Sequence, residues 1–78
     1  MPTILIDGPY RFFFFSRENR EPPHIHVERD DAYAKIWLEP VVLAHARGLR
    51  SHELTEVLRI TAVNRELFLR RWHEHLNR

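Results

Sequence analysis

Cysteine is absent from this chain. It therefore has no disulfide, no thiolate metal ligand and no thiol nucleophile. Glycine is scarce: Gly8 and Gly48 are the only two, and each falls where an element should stop. Lysine occurs once, as Lys35, so the other eleven of the twelve basic residues are Arg. Arg suits bidentate phosphate contact, although a GC-rich genome produces the same bias. No apolar stretch approaches the roughly 20 residues of a membrane span. The opening residues Met1–Asp7 lack the basic start and long apolar run of a signal peptide. A cytoplasmic protein without a membrane segment is expected.

With 78 residues the chain reads as one small domain, 1–78. Folding at this size removes only about 60% of the unfolded surface from water, so most large apolar side chains must share one core. The supply is adequate, with 44% hydrophobic residues including five Phe, two Trp and two Tyr, and disorder is not expected. A core this small would gain from a homodimer. The net charge is +1, but residues 1–40 hold five basic and seven acidic side chains, whereas residues 41–78 hold seven Arg and four Glu. A balance so near zero is not by itself a nucleic-acid footprint.

The pattern predicts an α+β fold: an antiparallel sheet of about four strands in two hairpins, covered on one face by a long C-terminal helix. Thr3–Ile6 is β-branched and apolar, and Asp7-Gly8-Pro9 is a turn signal. Tyr10–Ser16 is aromatic enough for a central strand buried on both faces. Arg17–Pro23 is a polar surface loop ending in two prolines. Residues 24–29 and 32–38 make a hairpin about Asp30-Asp31. Its register collects Ile25, Val27, Ala34, Ile36 and Leu38 on an apolar face, and His24, His26, Glu28, Tyr33, Lys35 and Trp37 on a polar one.

Val41–Ala46 is ambiguous and fits one helical turn. Ser51 is a plausible N-cap for a helix over 51–77, with Glu53 where a negative charge suits the dipole. Leu54, Leu58, Thr61, Phe68, Leu69, Trp72 and Leu76 form its apolar stripe. Thr61–Asn64 is weak helix former, and a break is expected there.

His24 and His26 stand two apart on a strand, so both rings point one way. They could split into a general acid and base, hold a metal with a further ligand, or cap a polar face. Lys35 opposite His26, Trp37 opposite His24 and Arg11 from the next strand would make a cationic, aromatic-edged site. Such a set suits a phosphodiester: His24, His26 and Lys35 for catalysis, with Arg11, Trp37 and Tyr33 for binding. The nearby cations oppose a metal, so no metal or cofactor is expected. Arg65 falls inside the apolar stripe and is either a structural ion pair or an arginine aimed under the helix at the histidine face. Ile60, Val63 and Leu67 lie together on the other side of the helix, as a partner surface would, unless a break near Asn64 returns some of them to the core. His45, His52, His73 and His75 are weaker candidates.

The run Gly8–Ser16, the block Glu21-Pro22-Pro23-His24-Ile25-His26-Val27-Glu28, Tyr33–Leu38 and Asn64–Leu67 together resemble a small bacterial family catalogued as domain of unknown function 4160. The resemblance covers nearly the whole chain. Members are described as toxin components of type II toxin–antitoxin pairs. That implies a small antitoxin-like partner and, by analogy with other such toxins, RNA as substrate and ribonuclease activity. The loop before the prolines often carries a His where this chain has Asn19; if that His is catalytic in the family, either this member is weakened or the role belongs to His24 or His26. The rival expectation is a non-catalytic module that holds a partner protein or nucleic acid.

Overall fold

The structure is a computed structural model and describes residues 3–15 and 20–76. Five strands precede two helices: β1 (Thr3–Asp7), β2 (Tyr10–Phe13), β3 (His24–Arg29), β4 (Ala32–Leu38), β5 (Val41–Arg47), α1 (Ser51–Val63) and α2 (Arg65–Leu76). The strands form an antiparallel meander in the order β1-β2-β3-β4-β5. No helix is long and apolar enough to cross a membrane. The expected loop 17–23 and the end of the expected strand at Ser16 fall partly outside the described residues, as does Asn19.

The β3–β4 register is the one the alternation predicts, with His24 opposite Trp37, His26 opposite Lys35 and Glu28 opposite Tyr33. Asp30 makes the turn at φ 53, a left-handed conformation that aspartate tolerates. The sheet has one strand more than expected, because Val41–Arg47 is β5 and not a helical turn. Its two-residue period is hidden by a register shift. Lys35 pairs His45 but Ile36 pairs Leu43, so Ala44 is an extra residue of a bulge. Val41, Leu43 and Ala46 still turn toward the core. Gly48 follows at φ +78, where a Cβ would stand 3.3 Å from both Cα and Cβ of Ala32. A side chain there would be strained at this φ and would press on Ala32, so glycine is favoured.

One sheet face carries Phe12, Ile25, Val27, Ala34, Ile36 and Leu38 and is covered by Val57 and Ile60 of α1 with Phe68 and Trp72 of α2. Phe12 stacks on Phe68 with ring centroids 5.4 Å apart, and Phe14 meets Trp72 edge-on at 5.5 Å. The single stripe expected along one helix is instead two stripes. The chain breaks at Asn64, whose side-chain Nδ2 donates to the Ile60 carbonyl and whose own carbonyl accepts from Phe68 N–H. The break shifts the phase, so Val57, Ile60 and Thr61 become the buried residues of α1, while Leu58, Leu69 and Leu76 pack at the margin. The N-cap is Arg50, not Ser51: Glu53 accepts the Arg50 N–H at 2.8 Å and so sits one turn in.

Candidate functional site

The second sheet face is the one turned away from the core cluster, and strand pairing arranges its side chains in rows. One row runs Arg11, Glu28, Tyr33, Arg47 across β2 to β5, and the next runs Phe13, His26, Lys35, His45. A third begins with His24 opposite Trp37. Strands lie about 4.8 Å apart, so members of a row are near neighbours.

This face is not the open polar surface that alternation predicts, because both histidines are buried, His24 at 0% and His26 at 3% exposure. The aromatic run after β1 accounts for this. Phe13 stacks on the His26 ring at 5.5 Å and Phe15 lies over it at 4.3 Å, while His24 is enclosed by His26, Trp37 and Trp72 at 5.0, 5.5 and 4.8 Å. Each buried ring satisfies its Nδ1. That of His24 lies 2.9 Å from the Pro22 carbonyl, which only accepts, so this nitrogen carries the proton. That of His26 lies 2.7 Å from the Tyr33 hydroxyl.

The cations on this face are engaged. Lys35 donates to both Glu21 carboxylate oxygens at 3.0 and 2.8 Å and sits 4.6 Å over the Trp37 ring. These hydrogen bonds hold the Glu21 carboxyl below the ordinary glutamate range. Arg11 donates to Glu28 at 2.8 Å and to Thr3 Oγ1 at 2.8 Å, and lies 4.6 Å over Phe13. Arg47 lies 5.3 Å over Tyr33, and the Tyr33 ring is 6.2 Å from His45. An open groove of about 400 Å³ beside Tyr33 is lined by Phe13 and Phe15, by the carboxylates of Glu28, Asp30 and Asp31, and by Arg47.

The structure thus brings together His24, His26, Lys35, Trp37, Tyr33 and Arg11 on one face. Arg65 is not among them. Its Nε donates to the Leu38 carbonyl at 2.7 Å and its guanidinium meets Glu39 at 3.5 Å, which fastens α2 to the end of β4. The expected exposed trio also divides, because the break at Asn64 turns Ile60 into the core at 2% exposure and leaves Leu67 half-buried, with Val63 at 73%. Sequence reasoning missed Glu21, Phe15 and Arg47, and ranked His45 only as a weaker candidate. Two prolines tie Glu21 to His24, a spacing that could have pointed to it. Among the described residues no three His, Asp or Glu side chains converge as metal ligands.

The family described as Domain of unknown function (DUF4160) matches residues 10–73, a span holding β2 to β5, α1 and most of α2. Comparison with curated proteins and with solved structures returns no match.

Proposed function

The chain belongs to the DUF4160 family, and we propose that it is the RNA-directed component of a bacterial toxin–antitoxin pair. In this reading single-stranded RNA lies across the face of β4 and β5 turned away from the core. One observation carries it: two cation–aromatic pairs stand in series, Arg47 over Tyr33 and Lys35 over Trp37, with His45 beside Tyr33. Tyr33 and Trp37 are four residues apart on β4, which places them on one face about 13 Å from each other. Bases stack on such rings at about 1–3 kcal/mol each, and adjacent cations take the phosphates. The small antitoxin-like partner rests on the family resemblance.

In this reading His24 and His26 support the platform and do not touch substrate, since both are buried beneath it. Binding of a short fluorescent single-stranded RNA by the purified chain tests the proposal. Tyr33→Ala and Trp37→Ala should each weaken it about 5- to 150-fold. A wild-type chain that binds no RNA, or variants that bind as well as wild type, would refute it. The second reading, a module that only holds a partner protein, draws on the exposed Val63 at 73%. It predicts no RNA binding and loss of the partner in Val63→Asp.

A further inference from the structure

We propose that the row Arg11–Glu28–Tyr33–Arg47 is a phosphodiester-cleaving centre, with Glu28 as base and Tyr33 as acid. The inference rests on the RNA-directed reading and assigns its reaction to different residues from the histidines that first draw the eye. His24 and His26 are too buried to meet a scissile phosphate. The row beside them is not: Arg11 and Glu28 side chains are 29% and 43% exposed, and Glu28, Tyr33 and Arg47 line one open groove. Direct pairing of Arg11 with Glu28, Glu28 with Tyr33, and Tyr33 with Arg47 sets the four side by side on successive strands. Rigid strands hold such a set more tightly than loops would.

Each position suits one step of metal-independent RNA cleavage. The Glu28 carboxylate, held by Arg11 at 2.8 Å, takes the proton of a ribose 2′-hydroxyl. The 2′-oxygen attacks phosphorus, and the O2′–P bond forms as the P–O5′ bond breaks. The Tyr33 hydroxyl gives its proton to the departing 5′-oxygen. His26, whose Nδ1 lies 2.7 Å from that hydroxyl, steadies the phenolate by donating to its oxygen in the Nδ1–H tautomer, and solvent returns the proton to it. The products are a 2′,3′-cyclic phosphate and a 5′-hydroxyl, and solvent takes the proton from Glu28 and restores that of Tyr33. Arg47, which lines the groove, sets fixed positive charge beside the phosphorane, where it stabilises the transition state, while Arg11 holds Glu28 in place. His26 acts through Tyr33 and is a positioning residue.

The test uses the full chain, a 5′-labelled single-stranded RNA and the same sequence as DNA. The account expects RNA cut to 2′,3′-cyclic phosphate ends and DNA left intact. Glu28→Gln and Tyr33→Phe should lower the rate about 10²- to 10⁴-fold while RNA affinity stays within about threefold, because the Tyr33 ring remains to stack. His26→Gln should lower kcat and leave KM unchanged. RNA bound but never cut, or cut at the wild-type rate by Glu28→Gln or Tyr33→Phe, overturns this centre and leaves the binding proposal standing. Absence of any RNA binding overturns both.

Discussion

The Nδ1 of His26 lies 2.7 Å from the hydroxyl of Tyr33, which joins a ring buried under Phe13 and Phe15 to a side chain that lines an open groove. The contact spans directly adjacent strands, since His26 faces Lys35 and Tyr33 faces Glu28 one row away. It couples the interior of this face to its surface.

The coupling should be measurable as stability. Tyr33→Phe removes one hydrogen bond and should cost about 1 kcal/mol, and His26→Ala, which also empties buried volume, about 2–4 kcal/mol. Urea unfolding of both single variants and the double variant should give a non-additive cycle, with an interaction energy of about 0.5 kcal/mol or more. Strict additivity would mean that the two side chains do not act together.

Ile60 and Val63 are three residues apart on α1 yet should respond oppositely to charge. Ile60→Asp buries a carboxylate among Phe68, Trp72 and the sheet, and should leave little folded protein. Val63→Asp, at 73% exposure, should change stability by no more than about 0.5 kcal/mol. Thermal melts followed by circular dichroism would separate them. Equal loss in both would contradict the break at Asn64.

Gly48→Ala should destabilise by about 1 kcal/mol or more, since it forces a side chain into a left-handed conformation and against Ala32 at 3.3 Å. Gly8 also has a positive φ, 57, but nothing stands within 4 Å of its Cβ position. Gly8→Ala should therefore cost less, which denaturant midpoints would check.

The Glu21–Lys35 pair sets a sign for pH. The Lys35 hydrogen bonds lower the Glu21 pKa in the folded chain. Its small contribution is thus present above the ordinary glutamate value and is lost as pH falls through the lowered one. In Lys35→Met the Glu21 carboxyl should titrate higher, toward the ordinary range, in carbon-detected NMR. If it stays low, another group holds it down. Glu21→Gln releases Lys35 for phosphate and should raise RNA affinity by a few-fold on the present account, most visibly at low salt.

The alternation of residues 24–38 was enough to read the β3–β4 register, because one face is apolar throughout and a slip of one residue would bury the charges. The fifth strand was not legible. A bulge at Ala44 breaks its two-residue period, and losing β5 hid Arg47 and His45 from the site. Asn64 was legible as a weak point, and a break there would return some of Ile60, Val63 and Leu67 to the core; that Ile60 is the one fully buried was not legible. The face that alternation marks as polar carries His24 and His26, yet the rings of Phe13, Phe15, Trp37 and Trp72 bury them. Such contacts between segments distant in sequence leave no trace in local pattern.

The most direct test of the RNA-directed account is NMR titration of the labelled chain with a short single-stranded RNA. It predicts shifts concentrated at Tyr33, Lys35, Trp37, His45 and Arg47, weakening as salt rises. Shifts confined to α1 and α2, or none at all, would contradict it.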